Sequence, residues 1–188
     1  MNEHTTSEKS LLIEKCKDTK FKDDMGTKIS KIAINTLKEL YLIESKRKYP
    51  HVPDFARAIP LFTDKTANGL TRCVVAFINL TGGQAERINC TGRIIDNRTT
   101  YTDILGHQRT IGQMHYVKTA GQRGTADVSA TIKGRSVKIE IKIGNDRQSE
   151  AQKQYQKSIE QSGGLYFIAR DFSQFLDWYY LTFGNNEK

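Results

Sequence analysis

Cysteine is scarce. The three that occur, Cys16, Cys73 and Cys90, are scattered and show no C-x-x-C spacing. An odd, dispersed set supports neither a disulfide framework nor a structural zinc site. All three prolines (Pro50, Pro53, Pro60) fall in one short stretch, which confines the break in regular structure to a single connector. No apolar run approaches the roughly 20 residues needed to cross a bilayer, so no membrane partner is expected. The opening MNEHTTSEKSLLIEKCK lacks the apolar core of a signal peptide, and the expectation is a cytoplasmic, reduced protein. Acidic residues are also in deficit, 21 against 29 Lys and Arg, leaving a net charge of +8. Such a balance favours polyanionic partners, although charge alone points only modestly toward nucleic acid.

What is present fits one domain with an appendage, long enough to bury a real core. Residues 1 to 26 are polar and expected to be mobile. From 27 to 48, apolar residues at helical spacing predict an amphipathic helix ending in Lys46-Arg47-Lys48. The proline connector follows, making 1–66 an N-terminal extension and 67–188 the main domain. A helix over 67–80 stops at Gly82-Gly83, and a short strand follows over 84–89. Residues 90–123 read as a basic insertion, rich in Thr, Arg and Gly, containing a hairpin or a long loop. Two strands with period two, 126–132 and 136–143, flank a turn at Lys133-Gly134-Arg135. A helix over 148–162, the strand LYFIA at 165–169 and a helix over 172–183 complete an α/β fold with a central mixed sheet flanked by helices.

The chemistry concentrates in the hairpin. If both apolar faces pack on a helix layer, the polar faces of the two strands point the same way. A turn centred on Gly134 sets Asp127 roughly opposite Ile141, beside Glu140 and Lys142. Two carboxylates so placed repel unless a positive charge lies between them. A hard divalent cation such as Mg²⁺ accepts that ligand set: Asp127, Glu140 and the Ile141 carbonyl, with water and phosphate completing it. Lys142 would contact a phosphate oxygen or orient the attacking water. Metal-assisted phosphodiester hydrolysis needs such an arrangement. An ExK pair alone is also what a solvated strand face looks like.

The ordered set GTAD (124–127), EIK (140–142), QSEAQ (148–152) and GG-LYFIA (163–169), with ERINCTG (86–92) upstream, resembles the VRR-NUC branch of the PD-(D/E)XK nuclease superfamily. The likeness spans residues 67 to about 180. It implies a restriction-endonuclease-like core and DNA cleavage with Mg²⁺ or Mn²⁺, leaving 5′-phosphate and 3′-hydroxyl ends. It also implies that Asp127 and Glu140 are metal ligands, that Lys142 is the catalytic lysine, and that Gln152 lies near the metal or the DNA backbone. Gln148, one helical turn earlier, is a weaker candidate. The sequence departs from the superfamily in one respect: its first core helix, NGLTRCVVAFINL, carries no acid. Glu86 either replaces that ligand or is a surface residue paired with Arg87.

In the insertion, Arg93, Arg98, Arg109, Lys118 and Arg123 interleave with aromatic residues, as backbone-contacting and base-stacking segments do. With Arg87 and Asn89 they form the expected DNA-binding set. Family likeness further implies a phage or mobile-element enzyme acting on branched DNA such as a Holliday junction, as a homodimer. The basic end of the first helix would then serve dimerisation or DNA. Two other readings stand beside it: a sequence-specific restriction-type nuclease on the same core, and a non-catalytic DNA-binding module.

Overall fold

A computed structural model describes residues 26–89, 92–118 and 121–184, with side chains from residue 31 onward. The segment expected to be mobile lies, up to residue 25, outside the described residues. Helix α1 (Gly26–Lys48) buries Ala33, Leu37 and Leu40 on one stripe. Its basic end is locally occupied: Lys46 pairs with Asp54 at 2.8 Å and Arg47 with Glu44 at 2.6 Å. The Arg57 guanidinium donates to the carbonyls of Ser45 and Tyr49, both at 2.9 Å, and so clamps the proline connector to the helix end.

Helix α2 (Ala67–Leu80) starts where the Thr66 hydroxyl accepts the Gly69 N–H at 3.1 Å. Gly69 is required there, because a Cβ would lie 2.4 Å from the Thr63 carbonyl oxygen. The main sheet has the order β1-β6-β7-β8, comprising β1 (Gln84–Arg87), β6 (Val128–Ile132), β7 (Arg135–Ile141) and β8 (Leu165–Ala169). The first three strands pair antiparallel, while β7 and β8 run parallel across a crossover through α3 (Glu150–Gln161). One face of the sheet, carrying Val128, Ala130, Ile132, Val137, Ile139 and Ile141, packs on α2 and α4 (Phe172–Phe183). Phe77 of α2 sits at the centre of that layer, edge-on to the rings of Phe172, Phe175, Tyr179 and Tyr180 at 5.0 to 6.1 Å. The opposite face is polar and is covered by α3. No helix among the described residues is long and apolar enough to cross a membrane.

The expected mixed α/β order holds, with three adjustments. The β6–β7 turn has two residues, Lys133 (φ 47°) and Gly134 (φ 76°), as the tight hairpin turns with positive φ require. Val128 therefore faces Ile139, and one step further Asp127 faces Glu140, not Ile141 as a turn centred on Gly134 would give. The shift has a physical reason: facing residues share a side of the sheet, and a partnership with Ile141 would have turned Asp127 into the apolar core. Second, α3 begins at Glu150 with Ser149 as its N-cap, so Gln148 precedes the helix and does not share its face. Third, of the two forms expected for the insertion, residues 93–117 take the hairpin, interrupted once along its length. Strands β2 (Arg93–Asp96), β3 (Thr99–Thr102), β4 (Gln108–Ile111) and β5 (Met114–Val117) form two successive ribbon segments, β2 with β5 and β3 with β4. One register runs through both: Arg93 faces Val117, and Thr102 faces Gln108. The result is a single two-stranded arm, roughly 35 Å long at the usual rise per strand residue.

Candidate active site

Glu140 near the end of β7 and Lys142 just past it lie on the polar side, yet they are only 2% and 6% exposed. Charged side chains are almost never so buried unless paired. Here the pair is mutual, with Lys142 Nζ 3.2 Å from Glu140 Oε1. Lys142 Nζ also reaches Asp146 Oδ2 at 3.3 Å and donates to Gln152 Oε1 at 3.2 Å. Gln152 in turn donates through Nε2 to Glu140 Oε1. The same Gln152 Oε1 accepts the Ser149 N–H at 2.9 Å, while the Ser149 hydroxyl accepts the Gln152 N–H at 3.3 Å. This is a capping box, S-x-x-Q, and it fixes the amide's orientation because two donors face its oxygen.

Asp127 lies at the head of β6, where its carbonyl accepts the Ile88 N–H at 2.8 Å. Its Oδ2 accepts the Ile141 N–H at 2.9 Å, beyond the last backbone pair of the β6–β7 ladder. The N–H and C=O of a strand residue point to the same side, so the Ile141 carbonyl faces the Asp127 edge. Burial pushes the Glu140 carboxyl above its ordinary value; the nearby Asp127 charge adds to this, and Lys142 opposes it. That repulsion is the electrostatic signature of a place that would accept a cation.

Gly124 explains the first letter of GTAD. Its φ is +85°, and a Cβ would stand 2.4 Å from the Ala151 carbonyl oxygen in the first turn of α3. Replacing Gly124 by alanine is expected to push that turn away and loosen Gln152. A drop of about 2 kcal/mol in denaturant-measured stability would register it, given the strain of positive φ plus overlap.

Asp127, Glu140, the Ile141 carbonyl, Lys142 and Gln152 thus converge. Gln148 joins this group at one remove: its side chain hydrogen-bonds the Tyr166 hydroxyl, and its Nε2 donates to Gln156 Oε1 at 2.9 Å. The proposed DNA contacts are more dispersed. Arg87 faces Val128, on the side of the sheet away from the carboxylates. Glu86 lies on the carboxylate side, exposed, with no ion pair to Arg87. Asn89 is exposed just past β1, Arg93 and Lys118 are exposed at the root of the arm, and Arg123 is exposed before Gly124. Arg98 and Arg109 on the arm are held by Asp96 and Asp103, at 2.8 and 3.0 Å.

Three participants were not singled out from sequence. Tyr166 of β8 donates its hydroxyl to Glu140 Oε2 at 3.4 Å, and burial, then the Glu140 charge, raises its pKa. Asp146 shares Lys142. Arg170 donates to the carbonyls of Gly144 and Asp146 at 3.2 and 3.4 Å, bracing the loop that carries Asp146. The period-two pattern of β8 marks Tyr166 only once its parallel pairing with β7 is known.

No family model and no curated protein matches this chain. The site is therefore judged on its own donor set. No cluster of three or more His, Cys, Asp or Glu occurs among the described residues. Two carboxylates and a backbone carbonyl are hard oxygen ligands of the number that Mg²⁺, which retains several waters, takes from a protein. These residues fit such an ion and would not satisfy a zinc site.

Proposed function

We propose that this chain is a divalent-metal-dependent DNA endonuclease with a restriction-endonuclease-like core of the VRR-NUC type. The observation that carries the reading is the burial of Glu140 and Lys142 under Gln152, at the end of the central strand pair where Asp127 adds a second carboxylate. A buried ion pair contributes little net stability compared with apolar residues of the same volume, so a fold has small reason to keep one for its own sake. Perturbed, mutually coupled titratable groups mark functional sites more often than surface pairs do.

Asp127, Glu140 and the Ile141 carbonyl would hold Mg²⁺ or Mn²⁺. Such an ion, when bound, polarises a phosphoryl oxygen and lowers the pKa of its water. The chain's own residues do the rest. Lys142 presents its ammonium to the phosphate oxygen on which charge develops, from a site where low water content strengthens that interaction. Gln152 holds both Lys142 and Glu140 in register. Tyr166 and Asp146 keep the second carboxylate oxygen and the ammonium from rotating away. The water oxygen forms a bond to phosphorus as the bond to the 3′ oxygen breaks, leaving a 5′-phosphate and a 3′-hydroxyl. The net charge of +8 favours a nucleic-acid substrate.

Supercoiled plasmid and a four-way junction, each incubated with Mg²⁺, Mn²⁺ or EDTA, test this directly. Cutting with either metal and none in EDTA is expected, with faster cutting of the junction if branched DNA is the substrate. A preference for one plasmid sequence would instead indicate a restriction-type enzyme. A gel shift of DNA without cleavage in either metal would reduce the protein to a binding module.

A further inference from the structure

Lys142 has no donor to spare. A lysine ammonium carries three N–H groups and no acceptor. Three oxygens surround this one: Glu140 Oε1 and Gln152 Oε1, each at 3.2 Å, and Asp146 Oδ2 at 3.3 Å. A phosphate oxygen that comes within hydrogen-bonding distance of Nζ must therefore displace one of them.

The three are not equally free to leave. Glu140 is buried, and Gln152 and the Tyr166 hydroxyl both hold its carboxylate. Gln152 is fixed by its capping box with Ser149. Asp146 has neither restraint. Its side chain is 58% exposed, in the loop between β7 and α3, and among the described residues its carboxylate pairs only with Lys142. A pair with one partner so exposed is readily given up to water. Arg170 meanwhile grips the backbone of the same loop at the carbonyls of Gly144 and Asp146. The carboxylate can thus swing out by rotation about its own side-chain bonds while the loop stays in place.

We propose that Asp146 is a placeholder anion: it occupies the third donor of Lys142 in the free protein and is exchanged for a phosphodiester oxygen of the substrate. A phosphate oxygen accepts the same charge-assisted hydrogen bond, and two anions repel when set against one donor. Asp146 is then a positioning residue that acts through Lys142. It keeps the ammonium aimed at the exchange position, and its departure is the step that DNA binding must drive. The inference rests on the nuclease reading of the site.

The test is Asp146→Asn, which keeps the shape and removes the charge, with Asp146→Ala, which removes the acceptor as well. Binding of a labelled duplex to the full chain, with Ca²⁺ in place of Mg²⁺, is read by fluorescence anisotropy. Affinity is expected to rise about 2- to 5-fold, the factor to which an exposed ion pair corresponds, and more in the alanine variant than in the asparagine one. In Mg²⁺-dependent plasmid cleavage KM should fall by the same factor while kcat stays within about twofold, as removal of a ground-state competitor requires. Lys142→Met/Asp146→Asn should bind no tighter than Lys142→Met alone, because no ammonium remains to be released. An equal gain in the methionine background would be the general attraction of DNA for a less acidic surface, and overturns the proposal. A fall in kcat with KM and affinity unchanged makes Asp146 a structural support and overturns it too, as does a higher Mg²⁺ requirement, which would make it a metal ligand. A parent that binds DNA without cutting removes the nuclease reading, and the affinity comparison then decides the role of Asp146 by itself.

Discussion

Replacing Lys142 by alanine is expected to slow metal-dependent plasmid cleavage by about 10²–10⁴-fold, the range for losing a positioned proton-transfer or charge-stabilising group. The effect has two sources that experiment can separate. The first is chemical, the loss of the ammonium from the phosphate. The second is structural, because Glu140, 2% exposed, loses a cation 3.2 Å away and keeps only the donors of Gln152 and Tyr166. Removing one partner of a buried pair typically costs about 3–5 kcal/mol. Lys142→Met retains the stem and packing, so cleavage measured well below its melting temperature isolates the chemical share. Lys142→Arg is not expected to rescue, since the planar guanidinium cannot occupy a pocket where three acceptors surround a point charge. If the methionine variant, fully folded, cuts as fast as the parent, Lys142 is a structural residue and the proposed mechanism is wrong.

Phe77→Ala is expected to lower stability by about 3–5 kcal/mol, near the top of the range for core truncations. For a chain of this size that corresponds to a fall of roughly 10 °C in melting temperature. Phe77 is wholly buried, and four rings from α4 lean on it, so its removal leaves a cavity that rigid aromatics cannot collapse into. Because α4 packs on the sheet face away from Glu140, cleavage by the folded fraction should be unchanged. Calorimetry and a cleavage assay at low temperature check the two halves of this expectation.

The sequence made much of the site legible because most of it is local. Period two puts Glu140 and Lys142 on one side of their strand, whereas a helix drawn from Gln148 passes over the S-x-x-Q box that sets the start at Ser149. A turn centred on Gly134 still brings Asp127 beside Glu140, although it pairs Asp127 with a residue one position too far along. Parity could have repaired that error: only the two-residue turn keeps Asp127 out of the core. Tyr166 and Asp146 were hidden for different reasons. Tyr166 reaches Glu140 through a parallel strand pair that closes only after a whole helix, and LYFIA reads simply as apolar. Asp146 lies in a loop whose course is set by Arg170, far along the chain. The arm was half legible: its Thr, Arg and Gly content signalled exposure, but nothing local shows that its two ribbons share one register.

Gln152 carries a consequence for how the site can be watched. Its side-chain oxygen caps α3 through the Ser149 amide and holds Lys142 at the same time. Fraying of the first helical turn and release of the ammonium are thus one event. The Ser149 amide proton then becomes a clock: each exchange with solvent deuterium records a moment when Lys142 and Gln152 came apart, and a divalent ion bound beside them should slow it.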